Sequence, residues 1–134
     1  AEAAPDIREA QDALRWADHL VILHPLWLGG MPALLKGFLE QVFRYGVALA
    51  PPGGPPKGLL RGKSARVVVT MGMPAPIFRW VFGAHGLKSL EKGVLWISGF
   101  KPIRHAVIGN VEGADPTARR RWLKAMERYG AAAS

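Results

Sequence analysis

Apolar positions along this chain change period several times, and each change marks an element. Ile7, Ala10, Leu14 and Ala17 recur three and four residues apart, the spacing of one helix face. Asp6 follows a proline and stands three residues before Glu9, a carboxylate variant of the capping box, so an amphipathic helix of about three turns is predicted to start there. His19 to His24 is short and apolar, without alternation, as in a strand of a parallel sheet covered on both faces. Pro25 is predicted to end it, and Gly29–Gly30 permits a tight turn. Pro32 suits the first turn of a second helix, where its missing N–H has no partner to lose. Leu34, Leu35, Phe38, Leu39, Val42 and Phe43 form the apolar stripe of that helix. Lys36 and Glu40 are spaced to pair outside it.

The stretch 51–58, PPGGPPKG, reads as a surface loop that is stiff in places. Ala65 to Met71 is a second buried strand, rich in β-branched residues and ended by Gly72 and Pro74. Leu87, Leu90, Val94 and Ile97 mark a third helix that runs to Gly99, and Ile103 to Gly109 a third strand. Asp115–Pro116 is predicted to cap a last helix carrying Ala118, Trp122, Ala125, Met126 and Tyr129, with Gly130 at its end. Helices of crossover length between successive strands require a parallel sheet with helices on both faces. The expected fold is therefore α/β, one domain over residues 1–134. Three strands are few, since a doubly wound domain commonly has five or more, so further strands are expected upstream of Ala1.

Composition narrows the functional classes. The chain has 134 residues, of which 49% are hydrophobic, enough for a packed core and against disorder. The absence of cysteine excludes disulfides and thiolate chemistry and fits a cytoplasmic protein. Every apolar run is far shorter than a membrane span, so no membrane insertion is expected. The net charge of +8 raises the question of nucleic acid. The cations are spread along the chain, however, and cluster only at Arg119–Arg120–Arg121 and around Arg61, Lys63 and Arg66. Neither cluster has aromatic partners spaced for stacking. A solvated helix face, or attraction for anionic cofactors, is the expected role.

Ligands of open parallel sheets bind beyond the carboxyl ends of the strands. Three loops qualify: His24 to Met31, Thr70 to Phe78, and the turn after Gly109. The first two are rich in glycine, proline and large apolar residues and hold no evident nucleophile. A flat apolar slot bordered by backbone N–H groups suits a planar aromatic cofactor better than hydrolysis. There is no G-x-S-x-G elbow and no phosphate loop of the G-x-x-x-x-G-K type. His19, His24, His85 and His105 lack metal-ligand spacing, so no metal is expected.

The run from Trp16 to Phe38, with Trp16-Ala-Asp18, Pro25-Leu-Trp27 and Pro32-Ala-Leu-Leu-Lys-Gly37, resembles the flavodoxin-like NAD(P)H:quinone oxidoreductase family, best its bacterial short-chain branch. The resemblance continues through Glu40-Gln-Val-Phe43, Lys63 to Gly72, the GAHGLKSLE run at 83–91, and Gly99-Phe-Lys-Pro102. It implies a three-layer flavodoxin-like fold of which this chain is the C-terminal portion, with the first strands and the phosphate-binding turn lying upstream. It also implies residue roles. Pro25, Leu26, Trp27 and Leu28 would lie along a flavin ring, FMN or FAD, with backbone N–H groups reaching its polar edge. Thr70, Met71, Gly72 and Met73 would border the same edge from the other side. His85 matches the histidine that stabilises the reduced, negatively charged flavin.

Three single positions and one short segment depart from the family pattern. Phe78 stands where many members carry a tyrosine that relays charge with that histidine, Met73 replaces a glycine, and Leu28 an aromatic residue. Val47-Ala-Leu49 replaces an aromatic pair. The implied activity is two-electron transfer from NAD(P)H through the flavin to a quinone, in a homodimer. The resemblance leaves two other readings open: a flavoprotein regulatory subunit of a potassium-efflux antiporter, and a degenerate homologue that no longer binds flavin.

Overall fold

The computed structural model describes residues 2–134. Three parallel strands, β1 (His19–Pro25), β2 (Ser64–Thr70) and β3 (Ile103–Ile108), form one sheet in the order β1-β2-β3. Four α-helices accompany them: α1 (Pro5–Trp16), α2 (Ala33–Val42), α3 (His85–Leu90) and α4 (Pro116–Ala132). The expected α/β class and order are present. His19 pairs with Ser64 and Pro25 with Thr70, while Ala65 pairs with Ile103 and Thr70 with Ile108.

Because side chains alternate between faces, this register sorts the sheet. Leu20, Ile22 and His24 share one face with Ala65, Val67 and Val69. That face is packed by Leu14 of α1, Leu39 and Val42 of α2, and Leu87 and Leu90 of α3, all buried. Gln11, buried on α1, donates through Nε2 to the Gln41 carbonyl at 3.1 Å and so fastens α1 to α2. Lys63 Nζ donates to the Arg15 carbonyl at 2.8 Å and also to that of Ala17. It thereby places a cation at the C-terminal end of α1, where the helix dipole favours one.

The other face carries Val21 and Leu23 on β1 and Arg66 and Val68 on β2. Arg66 is buried, and its guanidinium lies 3.7 Å from the centre of the Tyr129 ring of α4. Its Nη1 donates to the His105 carbonyl at 3.3 Å and its Nε to that of Ser134. Beside this anchor, Val21 and Leu23 are 53% and 65% exposed. Among the described residues, β1 therefore has one packed face and one that is about half exposed.

Local boundaries also differ from expectation. Helix α1 begins at Pro5 with Ala4 at the N-cap and no side-chain cap. Proline occupies the first helical position, where it has no donor to satisfy. Asp6 is thus inside the helix and accepts only the N–H of its neighbour Ile7, at 2.9 Å. Pro25 is the last residue of β1 rather than its terminator, and Pro32 is the N-cap of α2 rather than part of its first turn. The Lys36–Glu40 ion pair forms as expected.

The third helical region runs without a break over 85–98 to Gly99, as expected, but its middle is π-helical. A π-helical segment, Ile77–Val81, precedes α3, and another, Glu91–Trp96, follows it. Asp115 caps α4, its carboxylate accepting the Ala118 N–H at 2.7 Å. Gly130 does not end that helix. Closure comes at Ala133, in the left-handed region with φ 48°, where the N–H groups of Ala133 and Ser134 donate to the carbonyls of Gly130 and Tyr129.

Candidate functional site at the carboxyl end of the sheet

Strand β1 leads directly into the first candidate loop. Pro25 lies beside Thr70 in the ladder, and the Leu26 N–H donates to the Thr70 carbonyl at 2.7 Å. The two loops expected to face one another are therefore joined at their roots. Trp27 and Gly30 then exchange backbone hydrogen bonds of 2.9 and 3.1 Å, closing a tight turn. Its two central residues, Leu28 and Gly29, have φ of 48° and 80°, the signature of a type I′ turn. Leu28 is fully exposed at the apex, and Trp27 is 62% exposed beside it.

This turn alters the expected use of backbone donors. Pro25 has none, and the N–H groups of Leu26 and Trp27 are both satisfied internally. In the second loop the Met71 N–H donates to the Ile108 carbonyl at 2.9 Å. Among the described residues, the N–H groups of Leu28, Gly72 and Met73 donate to no backbone carbonyl. The Gly29 N–H, in the same turn as Leu28, is likewise without a backbone acceptor. The second loop is also bound to the turn after β3, because Asn110 and Val111 donate to the carbonyls of Met73 and Met71 at 3.0 and 3.1 Å. A Cβ on Gly109 would stand 2.4 Å from Ala75 N and 2.8 Å from the Met73 carbonyl, so glycine is required for that approach.

His85 is the first residue of α3 and is exposed. Gly83 and Ala84 before it have φ of 70° and 50°. A Cβ on Gly83 would lie 2.8 Å from His85 Nε2, so the imidazole folds back over this glycine. On its other side, a Cβ on Gly86 would meet the Gly29 carbonyl at 2.2 Å and Gly30 Cα at 2.7 Å. The start of α3 therefore rests directly on the Gly29–Gly30 side of that turn through Gly86, the residue after His85. The absence of a side chain at Gly86 makes this approach possible, whereas a Cβ on Gly29 or Gly30 would meet nothing.

Phe78 is not presented to that site. It is 2% exposed, inside the core, and takes part only through its carbonyl, which accepts the Ala84 N–H at 3.1 Å. Met71 is likewise buried, whereas Gly72 is exposed and Met73 half-buried.

An open groove of about 510 Å³ runs from the turn between α2 and α3, lined by Trp27, Leu28, Met31, Lys36, Gly86 and Ser89. Thr70 to Met73 are not among its walls. The sequence points to Lys36 only as a partner of Glu40 and to Met31 only as the end of the first loop, and it gives Ser89 no role. Lys36 lies one turn into α2 and Ser89 one turn into α3. Among the described residues no group of three or more His, Asp or Glu is arranged to hold a metal ion. No helix is long and apolar enough to cross a membrane.

Comparison with known proteins gives a consistent picture. The family model described as a flavodoxin-like fold matches residues 1–131. An uncharacterized NAD(P)H oxidoreductase of Haemophilus influenzae is 29% identical over 123 residues, 89% of this chain and 59% of that protein. The human ribosyldihydronicotinamide dehydrogenase [quinone] is 37% identical over 103 residues, 73% of this chain and 44% of that one. The solved NAD(P)H:quinone oxidoreductase of Methanothermobacter marburgensis superposes with a TM-score of 0.82 at 24% identity, over 97% of this chain and 66% of that one, and so shares the fold. The chain thus spans about half the length of the curated relatives it matches.

Proposed function

We propose, from the premise that this chain belongs to the flavodoxin-like fold family, that it provides one wall of the flavin site of an NAD(P)H:quinone oxidoreductase. The observation that carries the reading is the seating of α3, through Gly86, on the Gly29–Gly30 side of the turn after β1. It brings His85, an exposed aromatic residue and free backbone donors to the carboxyl end of one parallel sheet, where this fold binds ligands. The names of the relatives supply the reaction class, and the resemblance at residues 16–38 supplies the flavin, FMN or FAD.

The residues present fit one side of such a ring. Trp27 and Pro25 offer exposed apolar surface at the end of β1, and the Leu28, Gly72 and Met73 N–H groups lie on loops flanking it. A flavin held there would supply the hydride and electron-pair transfer between a nicotinamide and a quinone. His85 would place a proton donor by the ring edge that gains charge. Phe78, apolar and buried, relays nothing, so the histidine acts without a tyrosine behind it. Pairing as a homodimer in the cytoplasm belongs to the same reading.

The visible spectrum of the purified full chain, followed by titration with FMN and FAD, tests it. Yellow protein, or saturable flavin uptake with NAD(P)H-dependent reduction of a simple quinone, is the expected result. Colourless protein that takes up neither flavin would overturn the proposal in favour of a degenerate homologue. His85→Ala should slow flavin reduction by less than about 10²-fold, because backbone donors remain. An unchanged rate would remove His85 from the mechanism.

A further inference from the structure

The solvent face of α4 carries a row of cations that, among the described residues, form no ion pair. Arg120, Arg121, Lys124 and Arg128 line one open groove on that helix, together with Glu127. Arg120 and Lys124, Arg121 and Lys124, and Lys124 and Arg128 lie three or four residues apart, so these cations share one side of the helix. All ion pairs among the described residues lie elsewhere, at Arg8–Glu2, Arg15–Asp12, Lys36–Glu40 and His105–Glu91. Even Glu127, within the stripe, pairs with none of its neighbours. These cations sit in a chain whose net charge is already +8.

A second feature lies at the same end of the sheet as the start of this helix. In the π-helical segment Ile77–Val81 and the residue after it, Phe78 turns into the core. Trp80, Val81 and Phe82 turn outward, 82%, 74% and 56% exposed. The loop leading to this segment and the loop leading to α4 are joined by the bonds from Asn110 and Val111 to Met73 and Met71. Three consecutive large apolar residues in water are costly unless they have a partner.

We propose that this protein docks on the surface of a lipid bilayer that carries anionic head groups, with the α4 stripe as its electrostatic contact and Trp80, Val81 and Phe82 as a shallow anchor. A cationic stripe alone would suit any polyanion. Nucleic-acid grooves place flat aromatic faces among the cations to stack on bases, and the α4 stripe contains no aromatic residue. The aromatic residues are instead grouped with valine, and tryptophan and phenylalanine favour the head-group boundary. Such attachment needs no spanning helix. The inference stands independently of the quinone reading, although a bilayer is where quinones with apolar tails dissolve.

The test is sedimentation of the full chain with vesicles of phosphatidylcholine containing phosphatidylserine, against vesicles of phosphatidylcholine alone. Binding to the first and not the second, weakening as salt rises, is expected. Each basic residue near an anionic surface is worth on the order of fivefold in partitioning. Changing Arg120, Arg121, Lys124 and Arg128 together to glutamine should therefore lower it by at least about a hundredfold. Trp80→Ser with Val81→Ser should weaken binding at high salt more than at low salt. The proposal fails if charged and neutral vesicles bind alike, if the four-glutamine variant binds as the parent does, or if duplex DNA binds more tightly than the vesicles at the same salt. It also fails if the serine variant changes only the molecular mass in solution, which would assign that patch to a second copy of the chain. Flavin content and quinone reduction, read on the same samples, separate loss of docking from loss of the catalytic reading.

Discussion

The two faces of the sheet are built from the same strands yet differ in how they are covered. On the first, Ala65, Val67 and Val69 meet buried side chains from three helices, and Leu87, Leu90 and Leu95 are all at or below 4% exposure. On the second, Arg66 and Val68 are as deeply buried, but α4 above them contains no buried residue. There the attachment runs through one arginine, one tyrosine ring and carbonyl groups, and β1 keeps Val21 and Leu23 in contact with solvent. An apolar run along a strand thus establishes that a strand is there; it does not establish how many layers cover it. Stability is concentrated on the first face, and the second is held by few, partly polar contacts.

The largest effect that would test this contrast is a cavity in the first face. Leu90 is fully buried, and Leu90→Ala should cost about 2–5 kcal/mol, from lost transfer energy and an unfilled void. Removing the anchor of the second face should cost less. Tyr129→Leu keeps most of the apolar bulk and deletes the contact with the Arg66 guanidinium, for a loss of about 0.5–2 kcal/mol. Urea unfolding midpoints of the two variants, measured side by side, give the comparison directly. Equal losses would mean that α4 is held as firmly as the helices opposite, and the contrast would collapse.

How much of this was legible in the sequence follows from the range over which each feature is determined. The strands β1, β2 and β3 and the Asp115 cap are local, set by composition and by a side chain reaching its own helix start, and they stand where expected. The α1 cap was misplaced because Pro5 takes the first helical position and carries the helix past Asp6. Gly130 looks like a helix end, but an alanine at 133 adopts the left-handed conformation instead. The candidate site was legible as a set of loops, through spacing and resemblance. Its assembly was not. The contact of Gly86 with the Gly29–Gly30 turn joins positions far apart in the chain, and neither glycine is distinctive alone. The turn itself places Leu28, a residue with a Cβ, at positive φ, which withdraws the Trp27 N–H from any ligand.

The smallest effect lies at the edge of the second face, where His19 joins β1 to β2. Its Nδ1 is 2.7 Å from Ser64 Oγ, and its Nε2 is buried without a hydrogen-bond partner. Burial, and then the nearby charges of Arg66 and Arg104, hold its pKa below the ordinary 6.5. The folded chain therefore prefers the neutral ring. Above pH 6.5 both folded and unfolded chains carry it neutral, and the group adds no pH dependence. As the pH falls through that value, the unfolded chain takes up a proton that the folded chain resists, so stability drops until the folded pKa is passed. Melting temperatures of the parent and of His19→Gln, compared from above to below that value, should diverge on the acid side, with the parent losing more. Parallel curves would show that the second face tolerates a third cation beside Arg66 and Arg104. The Arg66–Tyr129 anchor would then be more open to solvent than its geometry indicates.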